Sequence, residues 1–377
     1  MSGGPPRVFL DANPDEEILP VAERGEPALG SDPFASSGAS DPLLERVETL
    51  SELLARAEAS LLPPRPAPER KVRAAAERPA ENEARRRWAT TPRLAEVELL
   101  ERARGLEALL PESERRRLAA LDHLADGDVP YDRFGFSPSA ARTAFPLFLA
   151  LYRFYFRVSS SGHEHLAPEG PAILAANHAG LLPFDGAMTV VDVLRHTDPP
   201  RLARAVVDRW AGELPFVNVF LARVGQVVGT RENFADLLDD GQLVLVFPEG
   251  MAGARKTITE RYRLQRFHTG FVEQALRTRA PIVPVAIIGS DDQTPILFDI
   301  RPLARWLGLP AAPITPTFPW LGPLGLLPYP VRYRIVYGEP LRFHERFGPD
   351  AAHDARLVQH LTQQVRRSVQ TLLDRNR

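Results

Sequence analysis

The chain has 377 residues, 44% of them hydrophobic, which is enough for one catalytic domain plus an extension. A formal net charge of -2 argues against nucleic acid as a partner, and zero cysteines exclude a disulfide framework, a thiolate zinc site and a cysteine nucleophile. Residues 1–20 carry neither a basic start nor an apolar stretch of leader length, so we expect an intracellular protein.

Residues 1–90 are rich in Pro, Ala, Glu, Arg, Ser and Gly, a composition that predicts a mostly disordered stretch. Within it, Asp41-Pro42 followed by Leu43, Leu44, Val47, Leu50, Leu54 and Leu61 reads as a cap, a first-turn proline and a helical stripe, so a short amphipathic helix is expected near residues 42–61. Thr91-Pro92 repeats the signal ahead of Leu94, Val97, Leu100 and Leu109, and residues 113–124 continue it after Pro111; residues 91–130 are read as a helical segment for packing or partner contact. The catalytic domain is placed at residues 131–377, where short apolar runs at 172–176, 204–207, 226–229, 243–247, 282–288 and 333–337 alternate with helical candidates at 185–195, 232–238 and 267–278. Leu357, Leu361, Val365, Val369 and Leu372 line one face of a closing helix. That alternation predicts an α/β fold, a mixed, largely parallel sheet flanked by helices, with a partly disordered, helical N-terminal extension. Pro284 marks its own run as an edge or an irregularity.

Of nine histidines, His178 follows a predicted buried strand directly and has a carboxylate close behind, in Asn177-His178-Ala179-Gly180-Leu181-Leu182-Pro183-Phe184-Asp185. Imidazole suits proton removal near neutral pH, and a carboxylate on its second nitrogen fixes tautomer and orientation. The plainer reading is that His178 satisfies a turn and Asp185 caps the next helix. Further on, Arg231 follows Gly229 at a strand end, where paired donors suit a phosphate, and the 243–247 run ends in Pro248-Glu249-Gly250, presenting a carboxylate at the same sheet edge. Taken singly, Arg231 also reads as a surface ion pair and Glu249 as a capping or loop residue.

The order of these blocks, Asn177-His178 with Asp185, Gly229 to Arg231, Phe247 to Gly250 and Val283-Pro284, resembles the glycerophospholipid and lysophosphatidate acyltransferases over about residues 134–345. The resemblance implies a glycerolipid acyltransferase-like fold and transfer of a fatty acyl group to a lysophospholipid hydroxyl, most simply that of 1-acylglycerol 3-phosphate. Acyl-CoA or acyl carrier protein is then a co-substrate, and no cofactor or metal is expected. It implies that His178 takes the hydroxyl proton, Asp185 orients His178, Arg231 and Glu249 position the headgroup, and backbone donors near Gly250 stabilise the oxyanion. Asn177 and Gly229 fall in the same substrate-binding blocks. Two departures stand out. Six residues separate His178 from Asp185 where the family has four, which puts Pro183 at the expected aspartate, and Met251-Ala252 replaces the usual Thr-Arg. Gly180 gives the longer loop freedom to restore the contact, and Arg255, Lys256 or Arg266 is expected to compensate as phosphate ligand; a neutral mono- or diacylglycerol acceptor stays open.

Residues 306–331 carry no charge, a length that suits a membrane span, but Pro310, Pro313, Pro316, Pro319, Pro323, Pro328 and Pro330 each cost about 3 kcal/mol inside a helix. An apolar Pro-rich lobe is expected instead, dipping into a leaflet through Trp306, Phe318, Trp320 and Tyr329, walling an acyl-chain tunnel, or packing on its own domain. A second membrane candidate is the aromatic helical face of Phe145, Phe148, Leu149, Tyr152, Tyr155 and Phe156, which equally suits a core. Together these predict a peripheral protein on the cytoplasmic face of a membrane. A hydrolase is disfavoured by the lack of Gly-x-Ser-x-Gly and His-Glu-x-x-His, and His163-Glu164-His165 is either a metal-binding pair or a solvated loop. A non-catalytic lipid-binding module is the remaining rival.

Overall fold

A computed structural model describes residues 107–377 apart from 109, 126–128, 209, 211, 213–215 and 308–310. The helix expected near 42–61 and the first part of the 91–130 segment lie outside the described residues. In chain order the elements are α1 (Glu112–Ala119), α2 (Pro138–Ala150), β1 (Ser159–Ser161), β2 (Ala172–Ala176), α3 (Phe184–His196), β3 (Ala203–Val207), α4 (Val217–Arg223), β4 (Val227–Val228), α5 (Arg231–Asp239), β5 (Leu243–Val246) and α6 (Met251–Ala254). They continue with α7 (Gly270–Arg277), β6 (Ile282–Ile288), β7 (Phe298–Asp299), α8 (Arg301–Leu307), β8 (Pro313–Ile314), β9 (Arg334–Tyr337) and α9 (Ala355–Asn376).

The seven-stranded sheet runs β1-β9-β6-β2-β5-β3-β4. β6, β2, β5, β3 and β4 are mutually parallel, whereas β9 runs antiparallel to β6 and carries β1 parallel to itself. The expected α/β fold with a mixed, largely parallel sheet is what forms. β2 and β5 are unbroken apolar runs because helices cover both faces of the sheet and every residue of these strands is buried. The period of two along β2 then splits the core: Leu174 and Ala176 pack with Met188 and Val193 of α3 and Phe145 and Leu149 of α2. Ile173 and Ala175 pack with Leu276 of α7 and Val365 and Val369 of α9 on the other side. The carboxyl ends of β2, β5 and β6, three neighbouring strands, therefore open on one edge, where ligands of parallel sheets bind.

The structure bears on three of these expectations. β6 is central and not at an edge despite Pro284: Ala175 of β2 lies across the proline on one side, and on the other β9 has already ended at Tyr337, leaving Gly338 to donate to the Pro284 carbonyl at 2.8 Å. The aromatic face from Phe145 to Phe156 is turned inward: Phe145, Leu149, Tyr152 and Phe156 are buried in the core, and the exposed positions of that segment are Leu147, Ala150, Arg153 and Phe154. The segment itself ends in a π-helical turn, Leu151–Tyr155, that carries Tyr155 to the Pro328 carbonyl at 2.6 Å. The Pro-rich lobe is pinned at its base, with Ala311, Ala312 and Thr315 buried and β8 paired to β7, while Trp320 stands 81% exposed beside exposed Leu321, Leu324 and Leu327. Among the described residues no helix is long and apolar enough to cross a membrane.

Candidate active site

β2 delivers Asn177 and His178 to the carboxyl edge of the sheet. Asn177 is fully buried and donates to the Ile287 carbonyl at 3.0 Å while its own carbonyl accepts the Ile287 N–H at 2.7 Å, tying β2 to β6. It is a clamp between strands, with neither end left for the substrate expected of it. The next residue turns outward: His178 is 15% exposed at its side chain, and its Nδ1 lies 2.7 Å from Asp185 Oδ2.

The six-residue connection achieves this contact by a compact turn. Gly180 takes φ +79, a left-handed conformation that favours glycine, and the Ala179 carbonyl accepts from Gln293 Nε2 at 2.8 Å. Gln293 is itself held by the Tyr333 hydroxyl at 2.6 Å. Pro183, at the place where the shorter spacing puts aspartate, is exposed ahead of α3. Asp185 sits buried in the first turn of α3, where the N–H groups of Gly186 at 2.8 Å and Ala179 at 3.1 Å also bond its carboxylate. Because the ionised carboxylate only accepts, Nδ1 carries the proton and Nε2 is the nitrogen left with a lone pair. Burial disfavours the charged imidazole, but Asp185 beside it and Glu249 behind it outweigh burial and the opposing charge of Lys256, so the pKa of His178 is raised above its ordinary value.

Glu249 does not face outward. It is fully buried, accepting the backbone N–H of His178 at 3.0 Å on one oxygen and that of Gln265 at 2.7 Å on the other. Lys256 is sealed too, with its Nζ 3.0 Å from Asp291 Oδ1 and 3.8 Å from Glu249 Oε1. Both residues, expected to meet a headgroup, are turned inward by their mutual charge and by backbone donors that water would otherwise have to satisfy. The Gly250 N–H is spent on the Phe247 carbonyl at 2.9 Å, which removes it as an oxyanion donor. Gly229 approaches β3 closely, since a Cβ there would meet Val206 Cγ1 at 2.8 Å, so its role is packing. Arg231 opens α5 at the end of β4, three strand steps from β2 and thus roughly 14 Å along the rim at about 4.8 Å per strand. Its side chain is 75% exposed and lies 3.5 Å from Glu273. Arg266 is exposed.

Gly253 was not legible as a site residue: in α6 it faces His178 so closely that a Cβ would lie 3.0 Å from the His178 carbonyl oxygen and 2.8 Å from Glu249 Cβ. Asp291 and Ser290 were missed as well, although the turn Gly289-Ser290-Asp291-Asp292 directly after β6 was a signal of the same kind as Pro248-Glu249-Gly250 after β5.

The family model described as Acyltransferase matches residues 157–288, a span that includes His178, Asp185, Arg231, Glu249, Lys256 and Arg266. Over 251 residues the chain is 42% identical to an uncharacterized protein of Mycobacterium tuberculosis, covering 66% of this chain and 70% of that one. With a protein of Mycobacterium leprae the figures are 41% over 251 residues, 66% and 68%. A human protein named DGAT1/2-independent enzyme synthesizing storage lipids is 25% identical over 220 residues, 57% of this chain and 60% of its own. Among solved structures, the 1-acyl-sn-glycerophosphate acyltransferase PlsC of Thermotoga maritima aligns with a TM-score of 0.39 and 17% identity over 75% of this chain and 90% of that one. The chain belongs to one family with these mycobacterial proteins and carries an acyltransferase domain at residues 157–288.

Proposed function

We propose that this domain moves a fatty acyl group from a thioester donor, acyl-CoA or acyl carrier protein, to the hydroxyl of a glycerolipid, with lysophosphatidate as the first acceptor to test. The observation that carries the reading is the 2.7 Å contact between His178 Nδ1 and buried Asp185, which leaves Nε2 on a partly exposed ring at the carboxyl edge of the sheet. Nε2 removes the acceptor proton as the hydroxyl oxygen attacks the thioester carbonyl; the tetrahedral intermediate collapses, the C–S bond breaks, and the imidazolium returns the proton to the leaving thiolate. No acyl-enzyme forms. General-base assistance of this kind is worth about 10²- to 10⁴-fold.

A second acceptor class is favoured by one observation. Lys256 is enclosed, Arg255 is half-buried with its Nε 3.3 Å from the Met251 carbonyl and 3.9 Å from Asp299, and Arg231 and Arg266 lie on exposed surface, so the nominated cations are either paired within the protein or spread over open surface. A neutral mono- or diacylglycerol fits that surface, in keeping with the name of the human relative. We place the protein peripherally on the cytoplasmic face of a membrane, with the exposed Trp320, Leu321 and Leu324 of the lobe and Phe154 of the adjoining π-turn meeting the leaflet.

The test is purified protein given labelled acyl-CoA, or acyl carrier protein, with lysophosphatidate, monoacylglycerol or diacylglycerol. New ester product that vanishes in a folded His178→Ala variant supports the reading. Free fatty acid alone points to a hydrolase, and binding without product points to a non-catalytic lipid module.

A further inference from the structure

Behind His178 lies a charged cluster that the transfer mechanism leaves unused. Glu249, Lys256 and Asp291 bring one cation and two carboxylates together with side chains at most 2% exposed. Each comes from a different part of the carboxyl edge: Glu249 from the turn after β5, Lys256 from just beyond α6, and Asp291 from the turn after β6. Isolated charges in such a place neutralise themselves unless an opposite charge holds them. Glu249 is the critical member, because its two oxygens bond the backbone N–H groups of His178 and Gln265, and only the carboxylate offers both oxygens purely as acceptors. Lys256 Nζ, 3.8 Å from Glu249 Oε1 and 3.0 Å from Asp291 Oδ1, is the cation that keeps it so.

From this geometry we infer that Lys256 is a positioning residue: anchored by Asp291, it holds Glu249 ionised so that Glu249 fixes the backbone of His178 and thereby the aim of Nε2. The role rests on the acyl-transfer reading only for what the aim is used for; the electrostatic arrangement stands apart from it. Burial pushes the pKa of Glu249 and of Asp291 up, Lys256 opposes both, and the backbone donors from Gln265 and His178 help to lower that of Glu249. The inference replaces the phosphate-ligand role that the sequence suggested for Lys256.

Two measurements on the full chain test it. In turnover, Lys256→Met should lower kcat by roughly 10- to 100-fold with every acceptor while each KM stays within about twofold, the signature of lost aim rather than lost grip. Glu249→Gln should behave alike, and the double variant should be no worse than either single one. Asp291→Asn, which removes the anchor of Lys256, should lower kcat in the same sense, again without a matching change in KM. A rise in KM confined to lysophosphatidate, or an unchanged kcat, overturns the inference in favour of ligand contact or a passive role. The second measurement needs no activity: the imidazole pKa of His178 followed by NMR, with Asp185 kept intact as the other charge facing the ring. Glu249→Gln must lower it, because a negative charge is removed. If Lys256 keeps Glu249 charged, Lys256→Met lowers it too; if Lys256 is only a nearby cation, the same substitution raises it, and the inference fails. Should Lys256→Met not fold, Lys256→Gln takes its place in both measurements, and the same sign of the imidazole shift decides. Wild-type protein without turnover, together with an imidazole pKa that falls in Lys256→Met, would sink the proposed function and leave the positioning network standing.

Discussion

His178 and Asp185 face each other at 2.7 Å, the ring on one carboxylate oxygen and the Gly186 N–H on the other. Their coupling makes a signed prediction. Asp185→Asn removes the negative charge that raises the His178 pKa, so the rising limb of the pH–rate profile should move to lower pH while the plateau falls by roughly 10²-fold or more. A plateau left intact would show that the carboxylate does not orient the ring. A second histidine group lies outside the site. The rings of His163 and His196 stack at 4.0 Å, and His196 Nδ1 lies 3.2 Å and His163 Nε2 3.4 Å from buried Asp192. His165 turns elsewhere, its Nδ1 meeting the Tyr337 carbonyl at 2.9 Å, so His163 and His165 do not act as the pair considered from the sequence. The hydrogen bond to Asp192 outweighs burial and raises the pKa of His196. The sign follows from linkage: the stabilisation is complete below the unfolded value of 6.5 and is lost as pH rises through the higher folded value. His178 contributes with the same sign. Melting temperature should therefore fall as pH climbs through that window, and His196→Gln should flatten the fall; an identical slope in the variant would exclude the group as its source.

At the scale of elements, legibility followed burial. β2 and β6 have the bounds that their apolar runs gave, because strands covered on both faces leave no polar residue to blur an end. β1 escaped detection: Ser159–Ser161 has no hydrophobic pattern and earns its place only by lying alongside β9 at the sheet edge. The orientation of Glu249 and Lys256 was beyond reach for another reason. A turn sequence shows that a charge stands at a strand end, but not which way it points, and here the direction is decided by Asp291 more than thirty residues further along. Gly253 belongs to the same class of hidden constraint. Gly253→Ala forces a methyl against the His178 carbonyl at 3.0 Å, in a four-residue helix that cannot move without moving Glu249. We expect a loss of about 1–3 kcal/mol in denaturant unfolding together with a roughly 10- to 100-fold fall in kcat. A variant that is stable and fully active would show α6 to be free to shift.

At the scale of all the described residues, one concentration of exposed apolar side chains lies on the lobe. Trp320, Leu321, Leu324 and Leu327 crown the lobe, and Tyr155, next to exposed Phe154, bonds the lobe at Pro328. Vesicle flotation should lose most of its bound fraction in Trp320→Ser/Leu324→Ser, with the melting temperature held, since both side chains are exposed and stabilise little of the core. Equal flotation would leave the lobe no part in lipid contact. The proline count of residues 306–331 had already argued against a span, whereas the split between a pinned base and a bare crown depends on the β7–β8 pairing and could not be read from composition.

The pairing of β9 with both β1 and β6 has a consequence for biosynthesis. A nascent chain that has emerged only as far as residue 330 has completed β6 but not its neighbour, so one flank of the central sheet is an open row of unpaired amides and carbonyls. The turns that carry His178, Glu249 and Asp291 are all translated by then, yet the partner strand that shields the β6 edge from edge-to-edge association is still inside the ribosome. Premature termination in that interval should yield aggregates rather than a weakened enzyme.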